Sequence, residues 1–144
     1  MFDRIMVAFD NSEHAHKALK TGFEMAKAHN SHLHIVAVIQ LPDYAGTIDE
    51  VDEFMREGRK FYEDEMNKAV AEAERQGIKV SAKMLYGHIG ETLVMYAGEN
   101  QIDLIITGSH GKSAVKKLFM GSVSNYLSKH ANCHVLITKE RKIK

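Results

Sequence analysis

One cysteine, one proline and no tryptophan occur in 144 residues, and the charges cancel: 19 Lys and Arg stand against 19 Asp and Glu. A single cysteine, Cys133, excludes an internal disulfide. The lone proline, Pro42, marks a loop. Zero net charge argues against a general nucleic-acid or anionic-membrane binder. No apolar run approaches the ~20 residues of a membrane span. Met1-Phe2-Asp3-Arg4 leads straight into the first strand without a charged-then-apolar leader, so the expected location is the cytoplasm. Apolar residues at 44% and charged residues at 26% make an ordinary globular mixture,. The length suits one domain over residues 1–144.

The zero is a sum of unequal parts. From Met1 to Ile102 there are 11 basic and 17 acidic residues, a balance of −6, and from Asp103 to Lys144 there are 8 basic and 2 acidic, a balance of +6. The final third is basic.

Arg4 to Phe9 (R-I-M-V-A-F) reads as a short strand buried on both faces. It stops at Asp10-Asn11-Ser12. Ser12 is placed to cap a helix in which Ala15, Ala18, Leu19, Gly22 and Ala26 recur at three- and four-residue spacing, ending near Asn30. His32 to Ile39 is a second strand. After the Pro42 loop, a long helix from about Glu50 carries Val51, Phe54, Met55, Phe61, Tyr62, Ala69, Val70 and Ala73, and Gly77 stops it. Ile78 to Tyr86 is a third strand. Gly87-His88-Ile89-Gly90-Glu91 turns into a helix through about Glu99, with Leu93, Val94 and Ala97 facing inward. Asp103 to Thr107 and His134 to Thr138 are the fourth and fifth strands, and a last helix begins by about Ser122. Strands alternating with helices of this length imply an α/β fold, a parallel sheet with helices on both faces. In such a sheet the ligand crevice lies at the carboxyl ends of the strands, where neighbouring connections leave toward opposite faces.

The loop after the fourth strand reads Gly108-Ser109-His110-Gly111-Lys112-Ser113, and Gly121-Ser122-Val123-Ser124 follows the segment from Lys112 to Met120. Glycines let backbone N–H groups approach a ligand, and a helix N-terminus points unpaired N–H groups at an anion. The N–H groups of Ser122, Val123 and Ser124 open the last helix, and the Ser122 hydroxyl adds a donor. Lys112, Lys116 and Lys117 lie between the two elements. The set predicts a phosphate cradle; a lone glycine would predict only a turn. It is not a Walker A loop, because Gly108 and Gly111 enclose two residues where that motif needs four before its Gly-Lys. It is not a dinucleotide fingerprint either, since the loop after the first strand is Asp10-Asn11-Ser12.

With these residues in view, the chain resembles the universal stress protein family, in its ATP-binding branch. That branch is marked by G-x2-G-x9-G-S/T, matched by Gly108, Gly111, Gly121 and Ser122, and the likeness extends from the opening V-A-x-D-x-S (Val7 to Ser12) across the chain. The resemblance implies a five-stranded Rossmann-like sheet in the order 3-2-1-4-5, with Asp10 and Gly108 facing each other across the crevice. It also implies roles. Asp10 lies near the ribose and the metal-bound phosphates; Ala8 and Val38 flank adenine; and Gly108, Ser109, His110, Gly111, Lys112, Gly121, Ser122, Val123 and Ser124 form the phosphate cradle. The ligand is ATP, ADP or AMP, with Mg²⁺ or Mn²⁺ carried by the nucleotide. Ile89 departs from the proline common at this place in the family.

Other residues read as structural. His29, His32 and His34 lack a completing Cys or carboxylate and are expected to be solvated. His14 and His16 are two apart on a helix and face different ways. Cys133 reads as a small buried side chain and the methionines as mostly core-facing. The acidic stretch from Asp49 to Glu65 reads as a solvated helix face. With no evident general base, nucleophile or arginine finger, the expected function is nucleotide binding in a stress-responsive regulator, with no catalytic residue. Slow ATP hydrolysis through Asp10 and His110 ranks third. The alternative is a dimeric interaction module with a vestigial nucleotide site. A homodimer through the last strand fits both.

Overall fold

The structure is a computed structural model and describes residues 1–40, 46–109 and 121–139. Short apolar runs form the strands β1 (Arg4–Ala8), β2 (His32–Ile39), β3 (Lys79–Tyr86), β4 (Leu104–Gly108) and β5 (His134–Thr138). Between them lie α1 (Glu13–His29), α2 (Ile48–Arg75), α3 (Ile89–Glu99) and α4 (Ser122–His130). The strands form one sheet in the order β3-β2-β1-β4-β5, and every neighbouring pair is parallel. At the centre, Val7 is in register with Ile35 on one side and Ile106 on the other.

Alternation along the strands divides the interior in two, because successive side chains point to opposite faces. Ile5, Val7, Leu33, Ile35, Leu104 and Ile106 join Ala18, Leu19 and Phe23 of α1 and Tyr62, Met66 and Ala73 of α2. Met6, Val36, Val38 and Ile105 face the other way, against Leu93, Tyr96 and Ala97 of α3 and Leu127 of α4. The connection leaving β1 thus goes to one face through α1, and the chain beyond β4 returns on the other through α4. That divergence opens a crevice between the ends of β1 and β4.

Local chemistry sets the helix ends. The Ser12 side chain accepts from Ala15 N–H at 3.1 Å and caps α1, which ends at left-handed Asn30,. Thr47 caps α2 in the same way, from Glu50 N–H, so this helix begins two residues before Glu50. Gly77, at φ +77°, follows its end.

Several expectations are corrected. Phe54 and Phe61 are 39% and 48% exposed, and Ile48 is 80% exposed. The 28 residues of α2 span ~42 Å, whereas the eight-residue β2 and β3 span ~27 Å. Gly58 lies against Ile39, the last residue of β2, so the turns before it, with Ile48 and Phe54, run past the sheet, whereas Phe61 lies beyond Gly58 and is exposed beside the buried Tyr62. His34 is not solvated: it is buried, with Nδ1 2.7 Å from the Tyr96 hydroxyl, on the same sheet face as Val36 and Val38. His32 is half-buried, its Nε2 2.7 Å from Ser81 Oγ. Met6 and Met66 are in the core, but Met95 is 63% exposed. Cys133 is only half-buried; it packs against the α3 and α4 side of the core, and burial pushes its thiol pKa up.

Candidate functional site

The crevice between β1 and β4 takes in about 500 Å³, part of it open solvent. Ala8 and Asp10 enter from β1 and its loop, and Ser12 and Ala15 from the first turn of α1. Val36 and Val38 of β2 with Ile89 and Leu93 of α3 make an apolar wall. Thr107 and Gly108 end β4, and Gly121, Val123 and Ser124 bring the start of α4 to the opposite rim. One end is apolar. The other is polar and carries a helix N-terminus.

Gly121 is the N-cap of α4 and supplies no side-chain acceptor, so among the described residues no cap side chain takes the leading N–H groups, and the positive end of the helix dipole lies at the crevice rim. Gly121 N–H donates to Ser109 O, and Ser109 N–H donates to Thr138 O at 3.1 Å. Ser109 therefore ties α4 to β4 and β5. Ser124 is 1% exposed, and its hydroxyl donates to Gly121 O at 3.0 Å, holding the cap carbonyl.

Across the crevice, Asp10 Oδ1 accepts from Ser12 N–H at 3.0 Å, which fixes the turn between β1 and α1,. Asp10 also acts on Tyr62 of α2: burial first, and then the Asp10 charge, push the tyrosine pKa up to about 12. Gly108 has a packing reason to be glycine. A Cβ there would lie 2.8 Å from His14 Cβ and 3.0 Å from its carbonyl carbon and oxygen, so α1 sits directly on the end of β4.

Of the residues named from the sequence, Ala8, Asp10, Val38, Gly108, Gly121, Val123 and Ser124 line this one crevice. Ser109 is buried beside it, Ser122 is exposed and outside its lining, and His110, Gly111 and Lys112 lie outside the described residues. Phe9, Ser12, Ala15, Val36, Leu93 and Thr107 were not anticipated as lining. Val36 was legible in principle, two residues from Val38 on the same strand face. Among the described residues no three His, Cys, Asp or Glu side chains form a metal-binding group, and Asp10 is the carboxylate of the crevice.

A parallel sheet in this order, with a half-apolar and half-polar crevice at its switch point, defines the chain as a Rossmann-like α/β protein,. The model of the universal stress protein family matches residues 1–139. The chain belongs to the universal stress protein family. Among curated relatives it is 33% identical to a Thermus aquaticus universal stress protein, covering 96% of this chain and 100% of the relative. It is 30% identical to universal stress protein YxiE of Bacillus subtilis, with the same coverages. Among solved structures, universal stress protein UspA from Lactobacillus plantarum superposes with a TM-score of 0.90 at 22% identity, covering 96% of this chain and 98% of that one. A universal stress protein in complex with cAMP gives 0.75 at 22%, covering 97% and 99%. A family protein from Arabidopsis thaliana with AMP bound gives 0.71 at 19%, covering 96% and 92%. No described helix is long and apolar enough to cross a membrane.

Proposed function

We propose that the crevice binds an adenine nucleotide and that the protein acts as a nucleotide-responsive regulator in the cytoplasm. The observation that carries this reading is the pairing, in one crevice, of an apolar wall (Val36, Val38, Leu93) with an uncapped helix start at Gly121. The wall suits a flat base, and the helix start suits phosphate. Two proteins of similar fold were solved with cAMP and with AMP, which supports the same ligand class. Asp10 is placed for the ribose or for a divalent ion riding on the phosphates. With one carboxylate available, Mg²⁺ or Mn²⁺ would take most of its ligands from the nucleotide and water, consistent with how Mg²⁺ is usually held.

Magnitudes limit what any single group does. A micromolar dissociation constant corresponds to ~8.2 kcal/mol, and one helix N-terminus contributes ~0.3–2 kcal/mol toward an anion. Base burial and several phosphate contacts must act together. No group in the described crevice is set as a general base beside a nucleophile, so binding rather than fast turnover is the role proposed.

Thermal-shift titration with ATP, ADP, AMP and cAMP, with and without Mg²⁺, tests the reading. Ligand at about 100 times its Kd stabilises by ~2.7 kcal/mol, which moves a domain near this size by ~2–4 °C per kcal/mol. The expected shift is several degrees. Gly121→Leu should remove it, since φ −61° at Gly121 accepts any residue and the new side chain crowds the cradle. No shift with any of the four would sink the proposal.

A specific observation favours a homodimer through β5 alongside this function. Both β3 and β5 are edge strands. Lys79 and Lys83 guard β3, whereas the β5 sequence His134-Val135-Leu136-Ile137-Thr138 carries no Lys, Arg, Asp or Glu,. Light scattering should give twice the monomer mass, and Ile137→Lys should return the monomer. A monomeric wild type would reject the β5 dimer.

A further inference from the structure

The carboxylate that faces the crevice sits on a turn braced from behind, by a side chain that does not line the crevice. Asn11, next to Asp10, holds φ +63°, a left-handed conformation that asparagine tolerates better than most residues but glycine adopts freely,. Its Oδ1 lies 2.9 Å from His16 Nε2. Since Oδ1 can only accept, the imidazole donates from Nε2. The same nitrogen is 4.0 Å from Glu65 Oε2 on α2. The ring also stands edge-on to Phe9, with centroids 5.1 Å apart at 89°. Phe9 is buried and immediately precedes Asp10. His16 therefore touches the turn on both sides of Asp10 and reaches across to a second helix. On α2, Tyr62 lies three residues before Glu65, on the same helix face, and its phenol feels the Asp10 charge. Two side chains of α2 thus face this turn.

We propose that His16 is a positioning residue of the crevice, clamping left-handed Asn11 and reaching Glu65 of α2, so that Asp10 is held toward the ligand opposite Gly108. The inference rests on the reading that the crevice binds adenine nucleotides. It makes α2, the helix whose leading turns overhang the sheet, a mechanical neighbour of the ligand site. A shift of α2 would reach Asp10 through Glu65 and His16.

Isothermal titration of AMP with Mg²⁺ on five proteins tests it: wild type, His16→Ala, His16→Gln, Asn11→Gly, and His16→Ala combined with Asn11→Gly. The His16 side chain is 44% exposed, so its truncation leaves the core intact, and far-UV circular dichroism verifies the fold of each variant. His16→Ala should bind about fivefold to tenfold more weakly, the factor that corresponds to one lost hydrogen bond. His16→Gln should recover most of the affinity, because its amide N–H can reach Asn11 Oδ1. In the Asn11→Gly background the effect of His16→Ala should shrink to less than about twofold, because glycine needs no clamp at this φ. A merely structural role for His16 would not produce that rescue. Unchanged affinity in His16→Ala, or a loss that neither glutamine nor Asn11→Gly repairs, would overturn the inference while leaving the nucleotide reading standing. Absence of AMP binding by the wild type would overturn that reading and, with it, this inference.

Discussion

Replacing His34 by asparagine should flatten the acid side of the stability curve. His34 is 6% exposed, its Nδ1 is bonded to the Tyr96 hydroxyl, and its Nε2 has no hydrogen-bond partner among the described residues. Burial, then the charges of His32 and Arg4, lower its pKa from 6.5 to about 4. The unfolded chain therefore takes up this proton first. Stability is unaffected above pH ~6.5, falls by up to ~1.4 kcal/mol per pH unit below it, and levels off near pH 4 after a loss of ~3 kcal/mol. Asparagine can replace the Nδ1 contact to Tyr96 and does not titrate. Urea unfolding of both proteins at pH values of about 7 and 4.5 would isolate the term, because carboxylate titrations common to both cancel in the difference. Wild type should lose ~2.4 kcal/mol more than His34→Asn between those two conditions. A difference below ~0.5 kcal/mol would refute the reasoning, as would an imidazole resonance of His34 titrating near the ordinary histidine value.

Three further outcomes follow from the packing around the crevice. Gly108→Ala brings a Cβ to 3.0 Å from backbone atoms of His14 that cannot give way; it should cost ~1–3 kcal/mol in chemical denaturation and weaken nucleotide binding by moving α1. Leu127→Ala removes a fully buried side chain that anchors α4; a loss of ~2–5 kcal/mol is expected, accompanied by weaker nucleotide binding because α4 carries the helix start at the rim. Ser12→Ala deletes the cap of α1 and should lower stability by ~1 kcal/mol, read from the shift in the urea midpoint.

Much of the fold was legible because local signals and the packed state agree. The run from Arg4 to Ala8, the cap at Ser12 and the three- and four-residue spacing through Ala26 each specify one outcome, and β1 and α1 follow them closely. Where the sequence misled, distance was the missing quantity. Phe54 has the spacing of a buried face, but whether a helix outruns its sheet depends on strand lengths elsewhere in the chain. His34 alternates with Val36 and Val38, a signal for burial that the polarity of histidine obscured. At the site, Asp10, Gly108 and Gly121 were legible as loop and cap chemistry. Leu93 was not legible as crevice wall, since nothing local in α3 says that its first turns lie over the end of β2. The packing reason for Gly108 was equally hidden, because His14 approaches it only through the tertiary fold.

The central claim is that the crevice between β1 and β4 holds an adenine nucleotide. Its most direct test is a two-dimensional ¹H–¹⁵N titration of the labelled protein with AMP and Mg²⁺. The account predicts saturable shifts at the amides of Ala8, Asp10, Val38 and Gly108 and across Gly121 to Ser124, with those at the far end of the sheet, Arg4 and Asp103, unmoved. Shifts that cluster away from these residues, or a spectrum that AMP leaves unchanged, would contradict it.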